Sequence, residues 1–236
     1  MKHIKQVVLA STNPGKIREF ERLLGPEPGF ELIVIPTFKA PQEDRPTYAG
    51  NAELKAAAAA KQFGLLALGE DSGIEVMELN GMPGPLTARF AGLSQKLRDQ
   101  LIQNPSPALI REAAVCGMMG SSPSDEEANK LLLQLLRDRL QPEDVGPGVF
   151  LSEARYVAHI ALSDPDGRIF FRAEHTAHGF IANEERGTEG FGQDPIMRFF
   201  SHDAYTVAEL TPADKDRVSH RGKAVREVLG YLQQNW

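Results

Sequence analysis

Glu70 and Asp71, in the stretch LALGEDSGIEV (67–77), are adjacent acids followed by Ser72 and Gly73, with apolar sequence on either side. Neighbouring carboxylates are poor packing elements, because each resists desolvation and raises its neighbour's pKa. At the tip of a strand–turn–strand element, two acids and a small hydroxyl form a hard-oxygen cluster of the kind Mg²⁺ prefers. Asp71 beside a metal-bound water could also take its proton. An exposed acidic turn is the plain alternative for the same residues.

Four other segments carry groups of matching chemistry. In STNPGK (11–16), backbone N–H groups at a helix start favour an anion, Ser11 and Asn13 can donate hydrogen bonds, and Lys16 lies within reach. It is not a Walker A loop, since the glycine spacing and the GK[ST] ending are missing. An N-cap followed by a surface lysine explains it equally well. In GNAELKA (50–56), Asn51 and Lys55 are four apart and share a helical face, and Glu53 follows Gly50 by three. A solvated polar stripe is the competing reading. GTEGFGQDPIM (187–197) combines three glycines with Phe191, Asp194 and Pro195, a shaped loop in which a ring can meet a base and a carboxylate can accept its N–H groups. DKDRVSHRGKA (214–224) places Lys215, Ser219, His220 and Arg221 near a helix start. His220-Arg221 at that end is unfavourable for the helix dipole unless an anion offsets it.

The elements that must position these groups read as alternating strands and helices. IKQVVLAST (4–12) is a buried strand and NPGKIREFERLLG (13–25) a helix, with Pro14 in its first turn and Ile17, Phe20 and Leu24 as the apolar stripe. FELIVIP (30–36) completes a βαβ unit. TYAGNAELKAAAAAKQFG (47–64) is a helix between a Thr47 cap and a Gly64 stop, and its alanine-rich body implies close packing. GIEVMEL (73–79), RYVAHIALSD (155–164) and RIFFRAEHTA (168–177) read as strands, the last two joined by a DPDG turn (164–167). DEEANKLLLQLLRDRL (125–140) and SHRGKAVREVLGYLQQ (219–234) are amphipathic helices. The stretch 93–124, with a short helix around LSQKLRDQLIQ, reads as an insertion or a mobile lid. The class is α/β with a mixed sheet.

Composition narrows the function. The chain has 236 residues, 42% hydrophobic and 25% charged, as an ordinary globular protein with ample core would. A net charge of -6 and a pI near 5.6 argue against binding nucleic acid by bulk electrostatics, so phosphates must be held by a few placed cations. One cysteine, Cys116, excludes an internal disulfide and a cysteine-based metal cluster. No apolar run approaches the roughly 18 residues of a membrane span, and the start of the chain leads into a strand instead of a signal peptide. Cytoplasm is the expected setting, with no membrane or nucleic-acid partner.

LASTNPGKIREF, NAELKA, EDSGIEV…LNGMPGPLTARFAG, GFGQDP and SHRGKA, in this order, resemble the inosine triphosphate pyrophosphatase family, the non-canonical purine NTP pyrophosphatases. The resemblance spans almost the whole chain apart from about 93–124. It implies one two-lobed domain over 1–236, with a long mixed central sheet flanked by helices and an active-site cleft between lobes, usually as a homodimer. The implied reaction is Mg²⁺-dependent hydrolysis of ITP, dITP or XTP to the monophosphate and pyrophosphate. By motif position, Ser11, Thr12, Asn13, Lys16 and Lys55 would hold the triphosphate. Glu70 would ligate the metal, Asp71 would activate water and share the metal, and Ser72 would contact phosphate or metal-bound water. Phe191, Gly192, Gln193, Asp194, Lys215, Ser219, His220 and Arg221 would line the base pocket or reach the phosphates.

Two positions depart from the family pattern. Gly50 stands where a metal-binding glutamate is usual, with Glu53 as the expected substitute, and Gln193 replaces the usual aromatic residue. Gln193 motivates an alternative substrate, another modified nucleoside triphosphate. Gly50 motivates a nucleotide-binding protein of low turnover, against which the retained Glu70-Asp71 pair speaks.

Overall fold

The computed structural model describes residues 5–25, 30–119, 123–140 and 148–235. The predicted start of the first strand at residue 4, and part of GSSPSD, lie outside them. The architecture is α/β. Among the described residues, six strands form one mixed sheet in the order β2-β1-β3-β4-β5-β6. They are β1 (Lys5–Leu9), β2 (Phe30–Ile33), β3 (Leu66–Val76), β4 (Phe150–Ser163), β5 (Ile169–Ala182) and β6 (Met197–Phe199). β1 runs parallel to both β2 and β3, with Val7 opposite Leu32 and Leu66, while β5 and β6 are antiparallel.

The chain divides into two compact units. One comprises Met1–Ser72, Ala158–His175 and Ser219–Trp236; the other comprises Gly73–Val157 and Thr176–Val218. In the first, Val7, Leu9, Phe20, Leu68, Ile160 and Val225 belong to one apolar cluster. Helix α1 (Pro14–Leu23) starts where expected, because the Asn13 side chain accepts the Lys16 N–H at 3.1 Å and Pro14 occupies the first turn. Helix α2 (Tyr48–Phe63) begins at Thr47, whose hydroxyl accepts the Gly50 N–H, and ends at Gly64 with φ +66°. Its alanines lie directly on β3. A Cβ at Gly69 would stand 2.2 Å from the Ala52 carbonyl oxygen and 2.5 Å from the Ala56 nitrogen. That close approach brings the α2 side chains down onto the acids that follow Gly69.

The second unit contains α3 (Gln95–Gln103), α4 (Pro107–Met118), α5 (Asp125–Arg137) and α6 (Pro212–Val218); α7 (His220–Asn235) belongs to the first. The stretch read as an insertion or lid folds as α3 and α4. Leu101, Ile102, Ala113 and Ala114 join Ile74, Leu86, Phe90, Leu132 and Ile181 in the core of that unit.

One expectation fails outright. Glu70 and Asp71 do not sit on a turn between two strands: β3 is continuous for 11 residues, and the chain leaves it only at Met77. Adjacent carboxylates resist desolvation, which is why the sequence alone suggests a turn there. Here each has its own cations, so the strand continues through them.

Candidate active site

Adjacent residues of a strand point to opposite sides, and the two acids have different partners accordingly. Glu70, 3% exposed, pairs through Oε2 with Lys16 Nζ at 2.7 Å and through Oε1 with Arg221 Nη2 at 3.0 Å. The same guanidinium donates to Glu19 of α1 and, at 2.8 Å, to the Ser72 hydroxyl. Asp71, 5% exposed, accepts from Lys55 Nζ at 3.0 Å and from Asn51 Nδ2 at 3.2 Å. Asn51 and Lys55, one helical turn apart on α2, thus reach a single carboxylate. Asn51 also brackets Arg45, accepting its N–H at 3.1 Å and donating to its carbonyl.

Burial and charge compete at each group. Burial alone would raise the Glu70 pKa, but Arg221, Lys16 and Lys55 outweigh it and hold this carboxyl well below the usual range. For Asp71 burial wins: its pKa is raised, with Glu43 adding to the effect against the pull of Lys55 and Lys16. Burial would lower Lys55, yet Asp71, Glu43 and Glu70 together keep its ammonium protonated far above neutral pH. Arg221 is held raised by Glu70 and Glu19 against its own desolvation. One acid of the pair is locked as an anion, and its neighbour is the better proton acceptor.

Glu43 was not foreseen. Its Oε1 lies 3.0 Å from Lys55 Nζ, the ammonium that also contacts Asp71, so two carboxylates converge on one cation. Glu53, the expected substitute for the absent acid at position 50, instead pairs with Arg172 at 2.6 Å and is partly exposed. Gly50 is itself constrained, since a Cβ there would stand 2.9 Å from the Arg45 Cβ. Ser11 and Asn13 are engaged at the start of α1, where the Ser11 hydroxyl accepts the Asn13 N–H at 3.2 Å, and Thr12 beside them is exposed. Ser219 and His220 are buried at the start of α7, with the Ser219 hydroxyl accepting the Gly222 N–H. The dipole cost of Arg221 at that helix start is offset by the chain's own Glu19 and Glu70.

The second unit holds the glycine-rich loop. Asp194, 3% exposed, accepts from the Tyr156 hydroxyl at 3.1 Å through Oδ1, and from the Phe191 N–H at 2.9 Å and Lys215 Nζ through Oδ2. Lys215 Nζ also lies 5.0 Å from the centre of the Phe191 ring. Gly190 has φ +82°, and a Cβ there would fall 2.0 Å from Asp194 Oδ2. The loop therefore closes around Asp194 only without a side chain at 190. Gln193 is buried and lines a small pocket with Pro83, Thr87, Phe90, Ala128 and Leu132. Tyr156 and Glu19 had no sequence signal beyond strand and helix periodicity.

No three His, Cys, Asp or Glu side chains among the described residues are arranged ready to hold a metal ion. Among the same residues no helix is long and apolar enough to cross a membrane.

The fold and the sequence are shared with known proteins. The sequence model of the Ham1 family matches residues 7–112 and 110–231. The chain is 35% identical over 232 residues to a dITP/XTP pyrophosphatase of Desulforamulus reducens, covering 97% of this chain and 96% of that one. It is 36% identical over 226 residues to the dITP/XTP pyrophosphatase of Thermus thermophilus, covering 95% and 90%. Among solved structures, a HAM1 protein from Coxiella burnetii superposes with a TM-score of 0.73 at 30% identity, covering 98% of this chain and all of that one.

Proposed function

The chain belongs to the Ham1 family, and from that premise we propose that it hydrolyses non-canonical purine nucleoside triphosphates, ITP, dITP and XTP, to the monophosphate and pyrophosphate. The observation that carries this reading at the level of chemistry is the buried Glu70-Asp71 pair and its three cations. A triphosphate near neutral pH carries about four negative charges, which must be offset before an anionic or deprotonated nucleophile can approach. Lys16 and Lys55 supply ammonium groups for that purpose. Arg221, doubly paired to Glu70 and Glu19, holds the strand acid in place.

Asp71 is the proposed base. Its raised pKa improves its capacity to accept a proton from an attacking water, while Lys55 and Asn51 fix its orientation. The water forms its bond to the α-phosphorus, and the bond to the bridging oxygen breaks, releasing pyrophosphate. Mg²⁺ is part of the same reading. Glu43, Glu70 and Asp71 offer only hard oxygen atoms, and Glu43 and Asp71 already share one cation, Lys55 Nζ. Glu43 and Asp71 would hold the ion, with Glu43 in place of the expected Glu53, while Glu70 on the opposite side of the strand keeps its ion pairs with Lys16 and Arg221. When bound, Mg²⁺ supplies charge neutralisation at the phosphates and acidifies water.

The loop around Asp194 is assigned to the base. Inosine and xanthine carry a 6-keto oxygen where adenine has an amino group, so an N–H donor directed there is left unpaired by adenine. Phe191 offers a ring face for stacking. A homodimer belongs to this reading as well, supported by the partly exposed run Phe150, Phe180 and Phe200, with ring centres 4.4 and 4.7 Å apart along it.

The test is a nucleotide panel assayed for pyrophosphate release with Mg²⁺. ITP and XTP are expected to be turned over at least about a hundredfold more efficiently than ATP. Equal rates on all purines would remove the specificity, and tight ITP binding without turnover would leave only a binding protein.

A further inference from the structure

Helix α5 has no part in the chemistry described so far, yet two of its side chains close on one glycine of the base loop. The Gly192 N–H donates to Asp125 Oδ2 at 2.7 Å, and Asn129 Nδ2 donates to the Gly192 carbonyl at 3.1 Å. Asp125 and Asn129 are four residues apart, hence neighbours on one face of α5. We propose that they are positioning residues, which set the base preference of the enzyme by fixing both peptide planes that flank Gly192. The proposal rests on the assignment of this loop to the base.

The geometry explains why such a clamp matters. The Gly192 N–H belongs to the peptide shared with Phe191, and its carbonyl to the peptide shared with Gln193. Holding both fixes the direction in which Phe191 and Gln193 leave the turn. Gly192 sits at φ +63° with nothing within 4 Å of a would-be Cβ, so its own surroundings do not hold it by packing. Gly190, two residues earlier, also has positive φ. A segment with two such glycines has little intrinsic rigidity, and Asp194 grips it on one side, through the Phe191 N–H and Lys215. The α5 pair supplies the grip on the other side of Phe191.

Asn129 itself argues for a selected role. It is 1% exposed and precedes Leu132, Leu133 and Leu136, the buried residues of the same helix. An apolar residue there would satisfy the core without cost. Instead the position carries an amide whose Oδ1 has no hydrogen-bond partner, a state that disfavours the fold. Its one contribution among these contacts is the bond to Gly192.

The test uses Asn129→Leu, which keeps volume and apolar packing, and Asp125→Ala, with Asp125→Asn as the conservative control that retains an acceptor. Each removed bond is expected to raise KM for ITP about tenfold with kcat nearly unchanged, and to lower the ITP-to-GTP ratio of kcat/KM by a similar factor. Asp125→Asn restores most of the ratio. Amide hydrogen exchange over Phe191–Gln193 becomes faster in Asn129→Leu, while the thermal midpoint is held or raised. Unchanged KM, ratio and exchange in both variants would overturn the clamp, as would a loss of kcat in step with thermal stability at constant KM. A wild-type protein that hydrolyses no nucleotide refutes the functional reading instead. The exchange measurement still decides whether α5 holds the loop.

Discussion

The acidic cluster of the first unit and the glycine loop of the second are built from different materials, and the proposed function gives them different tasks. Around Glu70 and Asp71 the working groups are side chains and, apart from Glu43, stand on regular elements: Lys16 on α1, Asn51 and Lys55 on α2, Arg221 on α7. Around Asp194 the backbone matters as much, through the N–H of Phe191 and both polar groups of Gly192. Charge neutralisation has little directional demand, so long cationic side chains suffice for a polyphosphate. Telling one purine edge from another needs donors and acceptors fixed in direction, which a held loop can present. Changes in the first cluster should therefore lower turnover of all nucleotides together, and changes in the loop or its α5 clamp should alter their ratio.

The largest effect falls on the proposed base. Asp71→Asn removes the proton acceptor while keeping the shape, and its one carbonyl oxygen still accepts from Lys55 or Asn51. Turnover should drop about a thousandfold for ITP, XTP and GTP alike, with nucleotide affinity preserved in equilibrium binding. A change in the ratio among bases in that variant would break the separation of roles. Next, Glu43→Gln should raise the Mg²⁺ concentration needed for half-maximal rate on the order of tenfold, whereas Glu53→Gln, paired with Arg172 at the surface, should leave it unchanged. The reverse result would return the metal to the position that helical spacing alone favoured.

How far sequence could see depended on whether the signal was local. Asn13 and Pro14, Thr47 and Gly64, and the turn at 164–167 are short-range chemistry, and the element ends they set appear within a residue or two of expectation, although β4 and β5 extend five residues farther from that turn than expected. The alanines of α2 announced a close approach, and Gly69 on β3 is what they approach. β3 was misjudged because its neutralising partners come from α1, α2 and α7, distant in sequence; without them two acids read as a turn. Glu43 lies in the irregular stretch before α2, where no period marks it, and Glu19 reads as a solvent-facing residue of an amphipathic helix. Asn129 carries no signal in the sequence beyond its place on an amphipathic helix, because its burial and its bond to Gly192 are tertiary features. The lysines and the acid pair were legible as a constellation; the partners that hold each one in place were not.

The smallest effects are those of pH, and they separate the two adjacent acids. Glu70 is held below the usual range in the native state, so its ionised form contributes stability that is fully present above about pH 4.5, where the unfolded chain's glutamate is also ionised. That contribution is lost as pH falls from there toward the native value. Asp71 is raised, so the native protein takes up its proton at a higher pH than the unfolded chain does. Its protonation favours the fold while removing the base. On acidification kcat/KM should fall first, as Asp71 protonates, and the urea midpoint should decline only at lower pH, as Glu70 loses its ion pairs with Lys16 and Arg221. In Asp71→Asn the stability limb from Glu70 should persist although the Asp71 limb in activity is gone. Coincident midpoints for activity and unfolding in the wild type would mean that the two carboxylates titrate as one unit, and that β3 does not divide their roles.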